Sequence, residues 1–320
     1  MNKLAINAYL DGRPGHEKQT WAVIRALERL TPVSVKTLSA ATEAAGSLLG
    51  AIPAALILAW RPQRAAAGTA EQLLIGSGRR SHPALIRAKH RLGRRAAAVC
   101  SMSPGPLFRP AFDLCLVPDH DAIAAGENVL LTHGPPCLPV NEGRHDPGRS
   151  LILIGGLDPK SHHWDSEEIC RQVATLLKQH PEREWTISSS PRTPAETVTR
   201  LAALAAAVPG RTDFHRAEET PRGWIEEQYR QNREVWVSAD SISMVYEALS
   251  AGCRVGVLPV RWRRPDNKFQ RGLDYLEQRN LIVYLEAWLA GTPWPSGAPI
   301  FNEAERCARE ILGRWWPERL

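Results

Sequence analysis

The stretch GPPCLPVNEGRHDPGR at residues 134–149, with LILIGG at residues 151–156 just beyond it, decides how the chain is read. The first holds four prolines and three glycines and has the composition of a linker. The second is a short apolar run ending on a glycine pair, as a buried parallel strand does when it enters a loop. Short apolar runs alternate with helical patterns on both sides of this break. That alternation predicts parallel α/β structure twice over, with ligand-bearing loops at the carboxyl ends of the strands. The expected domains are 1–148 and 149–301, and a last helix within 302–320 is expected to pack back on the first.

Toward the N-terminus, strands are expected at Lys3–Leu10, Val33–Leu38, Ala54–Trp60, Gln72–Ile75, Ala97–Ser101, Asp113–Val117 and Asn128–Thr132. Trp21, Ile24, Leu27 and Leu30 recur every three residues and mark the first helix. Toward the C-terminus, strands at 151–154, 184–188, 212–215, 234–238, 254–258 and 281–285 alternate with helices near 165–179, 194–206, 221–230, 241–251 and 267–279.

Composition bounds the function. The 320 residues are 43% hydrophobic and 23% charged, which fits folded domains rather than disorder. The net charge of +6 is spread thinly apart from Arg79-Arg80, Arg94-Arg95 and the basic loop Arg261–Arg264, and no nucleic-acid motif accompanies it. Phosphorylated ligands and an anionic membrane surface are therefore the expected partners, and nucleic acid is not. Six cysteines occur without a Cys-x-x-Cys pair, which points to a reduced, cytoplasmic setting. Met1–Ala5 runs straight into a strand pattern without the zones of a signal peptide.

Five loops after strands have residues suited to chemistry. In Asp11–Gln19, Gly12 and Gly15 allow close backbone approach, and His16 is a candidate general base. In Ile75–Pro83, Gly78 precedes Arg79 and Arg80, whose guanidinium groups suit phosphate oxygens. Gly155, Gly156 and Lys160 open the second half. Ser190 and Arg192 precede a proline-started helix. The fifth loop, around Asp240, carries the most. A strand runs to Ser238, Ser241 and Ser243 fall in the first helical turn, and Met244 and Glu247 follow. Exposed N–H groups at such a tip suit a diphosphate, and a carboxylate one turn on suits the hydroxyls of a ribose. Each loop also has a plainer reading as a capped turn. Asp119-His120-Asp121 matches a three-residue Asp-x-Asp pattern, and no metal is expected there.

Together these segments resemble the bacterial branch of the plant mitochondrial-fission-factor family, whose members are labelled glycosyltransferase or nucleoside-diphosphate-sugar epimerase. The resemblance rests on Gly12–Gln19, Gly76–Ser81, Phe112-Asp113 with Val117–Asp121, Ile154–Gly156, Arg192–Pro194, Asp240–Met244 with Glu247-Ala248, and Lys268-Phe269. It departs from the family in having Pro191 where a first arginine is usual. The resemblance implies a GT-B fold of two Rossmann-like parallel α/β domains facing each other across a cleft, with donor in the second and acceptor in the first.

On that basis the expected activity is metal-independent transfer of a sugar from a nucleotide-diphosphate sugar to a cell-envelope glycolipid or lipopolysaccharide-type acceptor. His16 or Asp11 is the expected base. Gly155, Gly156, Lys160, Ser190, Arg192, Asp240, Ser241, Ser243, Met244 and Glu247 are expected on the donor, with Asn267 and Gln270 on its sugar. Gly12, Gly15, Gly78, Arg79, Arg80, Asp119 and Asp121 are expected to line the cleft. No cofactor is expected beyond the donor itself. Arg261–Arg264 and Trp315-Trp316 suggest a peripheral contact with an anionic membrane. An epimerase on the same fold and a non-catalytic membrane-associated scaffold are the alternatives.

Overall fold

The computed structural model describes residues 2–43, 51–60, 63–121, 123–264, 267–295 and 301–320. The chain divides into two units. Unit 1 comprises Met1–Leu138 with Asn302–Leu320, and unit 2 comprises Pro139–Phe301.

Unit 1 is built from β1 (Leu4–Leu10), α1 (Pro14–Leu30), β2 (Val33–Ser39), α2 (Ala40–Glu43), α3 (Ile52–Trp60), β3 (Gln72–Ser77), α4 (His82–Leu92), β4 (Ala96–Ser101), β5 (Leu114–Pro118) and β6 (Val129–Thr132). Its sheet is parallel, in the order β2-β1-β3-β4-β5-β6. Apolar side chains leave both faces. Leu4, Ile6, Leu73 and Ile75 pack with Ile24 and Leu27 of α1, while Leu74, Cys100 and Cys115 pack with Leu85 and Ile86 of α4. Such two-sided burial explains why these strands read as unbroken apolar runs.

Ala54–Trp60 forms part of a helix, contrary to the expected strand. The run IPAALILAW is short and apolar throughout, so periodicity does not separate the two states. Alanine and leucine are the strongest helix formers, and Pro53 sits in the first turn where its missing N–H costs nothing.

Unit 2 is built from β7 (Asp146–Leu153), β8 (His162–His163), α5 (Ser166–Gln179), β9 (Glu184–Ser188), α6 (Ala195–Ala206), β10 (Thr212–His215), α7 (Trp224–Gln231), β11 (Asn232–Ser238), α8 (Ile242–Ser250), β12 (Arg254–Leu258), β13 (Arg261–Trp262), α9 (Lys268–Gln278), β14 (Ile282–Tyr284) and α10 (Leu285–Leu289). Its main sheet is again parallel, in the order β10-β9-β7-β11-β12-β14. Counted within the unit this is 3-2-1-4-5-6, the doubly wound Rossmann order. Two-residue strands β8 and β13 pair antiparallel beside it.

The border expected at residue 148 falls inside β7. Asp146 already pairs with Asn232, and the register shifts before Ser150 meets Glu234. Pro147 and Gly148 thus sit at an irregularity in a strand, the setting in which a sheet tolerates both.

The last helix, α11 (Glu303–Trp315), packs on α1 in unit 1. Trp315 and Trp316 are buried, and their indole N–H groups donate to Ala65 O at 3.1 Å and Ala70 O at 2.8 Å. This overturns the reading of the pair as membrane-facing. Two tryptophans that place both the ring and the N–H in the interior are packing residues. Among the described residues, no helix is long and apolar enough to cross a membrane.

Candidate functional site

Each unit carries a polar cluster at the carboxyl edge of its sheet, where the strand order reverses. In unit 1 the reversal lies between β1 and β3, because the chain leaves β1 toward β2 and leaves β3 toward β4. In unit 2 it lies between β7 and β11. Two loops that diverge from neighbouring strands leave room for a ligand at that point.

The unit 1 cluster centres on Asp11 and His16. Asp11 Oδ2 lies 2.7 Å from His16 Nδ1, and the carboxylate is fully covered while the imidazole is 19% exposed. The other carboxylate oxygen accepts from the Arg13 backbone at 3.0 Å. A carboxylate on Nδ1 fixes the proton there and leaves Nε2 as the basic nitrogen. The loop is shaped by Gly12, with φ of +78°, whose N–H donates to Glu17 Oε1 at 2.9 Å. Gly78, with φ of +82°, passes directly against the imidazole. Thr20 Oγ1, in the second turn of α1, donates to Ser77 Oγ at 2.9 Å. Gly15 has open space around it, and Arg79 and Arg80 are exposed.

Below this dyad lies His82, a residue that sequence reading passed over. It is buried, and its Nε2 has no partner among the described residues. Burial first, and the Arg79 charge second, pull its pKa down to about 4, with His16 adding to the effect and Asp11 opposing it. His82 is therefore neutral at pH 7. Its position directly after Ser81, the residue preceding α4, was visible in sequence, but its burial was not.

The unit 2 cluster joins the loops after β7, β9 and β11. Asp240, buried, accepts from the Gly156 N–H at 3.0 Å, Ser238 Oγ at 2.7 Å, Arg192 Nη2 at 3.0 Å and Ser241 Oγ at 3.2 Å. Arg192 Nη2 also donates to Ser241 Oγ at 3.1 Å, and Nη1 to Gly156 O at 3.2 Å. Ser190 Oγ donates to Gly155 O at 2.8 Å, and Thr193 Oγ1 donates to the same carbonyl.

This arrangement gives several of the expected donor residues partners within unit 2. Gly155 and Gly156 serve close packing of loops. A Cβ at Gly155 would lie 2.1 Å from Asp240 Oδ2, and one at Gly156 would lie 2.1 Å from the Arg192 carbonyl. Asp240 also pairs with the Arg192 guanidinium, which stays 44% exposed, and accepts a hydrogen bond from the buried Ser241 hydroxyl. The polar groups left at the α8 tip include backbone N–H groups and the Ser243 hydroxyl. No side chain caps α8, and among the described residues nothing accepts from the N–H groups of Ile242 and Ser243. The Ser243 side chain is exposed beside them, and Met244 is half-buried.

Glu247, half-buried one turn along, receives the Tyr229 hydroxyl on Oε2 at 3.3 Å. Tyr229 is fully buried on α7 and gives no local sequence signal of this role. Lys160 stands exposed on its turn, its backbone bonded to Asp158 Oδ1 at 3.1 Å.

The remaining candidates have other partners. Asn267 caps α9, its Oδ1 accepting from the N–H groups of Phe269 and Gln270. Gln270 donates to Asp274 at 2.5 Å. Sugar hydroxyls thus meet competition from the helix itself at both residues. Asp119 pairs with His133 at 3.1 Å, and Asp121 is exposed. Among the described residues, no three His, Cys, Asp or Glu side chains are grouped to hold a metal.

Two Rossmann-like units of six parallel strands, each with a polar cluster at its reversal point, place the protein in the GT-B fold class. Within it, the chain belongs to the mitochondrial fission ELM1 family, whose model matches residues 14–315. No curated protein matches it in sequence. Among solved structures it is similar to a Listeria monocytogenes protein assigned as a UDP-N-acetylglucosamine 2-epimerase. They share 12% identity over 97% of this chain and 95% of that one, with a TM-score of 0.60. It is also similar to the Neisseria meningitidis UDP-GlcNAc 2-epimerase bound to UDP-GlcNAc, at 12% identity over 97% and 100% of the two chains and a TM-score of 0.55. The glycosyltransferase SnogD of Streptomyces nogalater matches at 14% identity over 98% and 96%, with a TM-score of 0.46. At these identities the likeness is one of fold.

Proposed function

We propose that this protein is a nucleotide-sugar enzyme that transfers the sugar to an acceptor hydroxyl. The observation that carries the reading is the α8 tip. Two N–H groups with no acceptor among the described residues, and the Ser243 hydroxyl, stand one helical turn before Glu247, which accepts from Tyr229. That is the spacing of a diphosphate and its ribose. The relatives in fold are named for UDP-sugar chemistry, which fits the same donor class.

In the proposed reaction His16 Nε2 takes the proton of the acceptor hydroxyl, and Asp11 orients and steadies the resulting imidazolium. The acceptor oxygen bonds to the anomeric carbon as that carbon's bond to the diphosphate breaks. The leaving diphosphate keeps the electron pair, and the helix tip stabilises its charge without a metal. Asp11 is too well covered to be the base itself. Arg192 acts by shaping the tip through Asp240. The proposed acceptor is a cell-envelope glycolipid or lipopolysaccharide-type saccharide, met at the cytoplasmic side, in keeping with the net charge of +6.

Epimerisation of the nucleotide sugar is the second reading, because epimerases share this fold. Incubation with a UDP-sugar alone separates the two: an acceptor-free change of sugar configuration selects the epimerase.

The test of the donor site is binding. A panel of nucleoside-diphosphate sugars should contain at least one that raises the melting midpoint. Glu247→Ala should weaken that ligand by roughly 10- to 100-fold, as expected for loss of a charged hydrogen-bond acceptor. Unchanged affinity would remove Glu247 from the site.

A further inference from the structure

On α3 of unit 1, Leu56, Ile57 and Trp60 are 46%, 44% and 90% exposed, while Ala55 and Leu58 face the core. Leu56 and Trp60, at i and i+4, are neighbours on one side of the helix, and Ile57 lies about 100° round from Leu56. Leu107, also exposed, lies just before the turn at Arg109–Ala111 that packs on α3. A contiguous apolar face containing an almost fully exposed tryptophan is a surface awaiting a partner.

The charge around it says which partner. Of the ten arginines and lysines in residues 51–112, Lys89 is buried on Asp113 and Arg79 and Arg80 belong to the dyad end, while three exposed arginines stand at the far end of α4. α3 packs on α4, and the two helices end together: a Cβ on Gly93, which ends α4, would meet the Gln63 side chain just beyond α3 at 2.5 Å. At this end stand Arg91, Arg94 and Arg95, all exposed. Among the described residues no carboxylate pairs with them. Glu71 bonds only the Arg95 carbonyl there, through its backbone N–H at 2.8 Å. This is also the end of the sheet away from the Asp11–His16 loop, since α4 starts beside that loop and returns to the start of β4.

We propose that this face docks on an anionic lipid bilayer. Leu56, Ile57 and Trp60 enter the boundary between headgroups and acyl chains, and Arg91, Arg94 and Arg95 meet the lipid phosphates. An apolar helical face with an aromatic anchor and a basic flank has the chemistry of an interfacial helix, and tryptophan favours that depth. The docking leaves the dyad loop on the opposite edge, open to solutes. The inference stands apart from the donor assignment and needs neither α8 nor His16.

The test is co-sedimentation of the full chain with vesicles of 3:1 phosphatidylcholine and phosphatidylglycerol, against pure phosphatidylcholine. The wild type should bind the anionic vesicles and leave them as salt is raised. L56S/I57S/W60S should lose binding by more than about tenfold with an unchanged melting midpoint, because the three side chains are exposed. R91Q/R94Q/R95Q should lose it by roughly 100-fold, at about fivefold per arginine. R261Q/R263Q/R264Q, in the other basic loop, should bind as the wild type does. The proposal is overturned if the wild type does not sediment with anionic vesicles, or if the triple serine variant sediments equally well. It is also overturned if binding is lost only in the 261–264 variant. A wild-type dimer in solution that L56S/I57S/W60S converts to monomer would assign the face to a second copy of the chain and overturn it too.

Discussion

A methyl group on Gly78 would stand 2.1 Å from Nδ1 of His16 and 2.9 Å from Asp11 Oδ2. The glycine at the end of β3 therefore sets how closely its loop can cover the dyad from β1. Two separate loops become one site only because this position lacks a side chain.

Gly78→Ala tests that dependence. The φ of +82° disfavours any Cβ by about 1–3 kcal/mol, and the clash must also displace the imidazole. We expect a lower melting midpoint and a turnover reduced by 100-fold or more, with nucleotide affinity within about twofold of the wild type. His16→Gln should show the same turnover loss without the stability loss. An active Gly78→Ala protein would show that His16 does not act where it is held.

The carboxylate of Asp240 and the missing side chain of Gly155 form one unit of packing. Asp240→Ala leaves the Gly156 N–H and Ser238 without their acceptor and should cost about 2 kcal/mol in chemical denaturation. Gly155→Ala should cost at least as much, since its Cβ would meet both oxygens of Asp240 within 2.4 Å. In the double variant the clash with the carboxylate is gone and only the one with Ser241 Oγ remains, so the double variant should cost less than the sum of the two single variants. Strict additivity in a double-mutant cycle would contradict the packing described.

Tyr229→Phe removes the hydroxyl that reaches Glu247 Oε2 and leaves the fully buried ring in place. Stability should fall by about 1 kcal/mol or less. If Glu247 holds the ribose, nucleotide affinity should fall by roughly 3- to 10-fold, read by calorimetry. In a Glu247→Ala background the same substitution should leave affinity unchanged.

His82 makes unit 1 sensitive to acid. Its pKa is about 4 when folded, against an ordinary value of 6.5. Well above pH 6.5 it is neutral in both states and contributes no pH dependence. As pH falls from 6.5 toward 4 the unfolded chain binds the proton first, so stability drops, by about 3 kcal/mol once both states are protonated. His82→Gln cannot take up that proton. Denaturation curves at pH 7 and pH 4.5 should therefore differ less for the variant than for the wild type, whatever its stability at pH 7.

The alternation of apolar runs with amphipathic helices determined two parallel α/β units, because strands buried on both faces must be apolar and crossover helices must carry a stripe. The polar loops rich in glycine, serine and arginine at the strand ends were legible for the same local reason: helix tips and open turns are written in adjacent residues. Local sequence misled where composition has two meanings. Ala54–Trp60 suits helix or strand, Pro147-Gly148 suits linker or bulge, and Trp315-Trp316 suits lipid or core. Only tertiary packing decided those, and only packing decided the site. Asp240 took Arg192 and Ser241 for itself, Tyr229 came to Glu247 from another helix, and His82 was buried under the dyad. Those outcomes depend on distances between residues far apart in the chain, which are set by sheet order and side-chain volume rather than by any neighbouring letter.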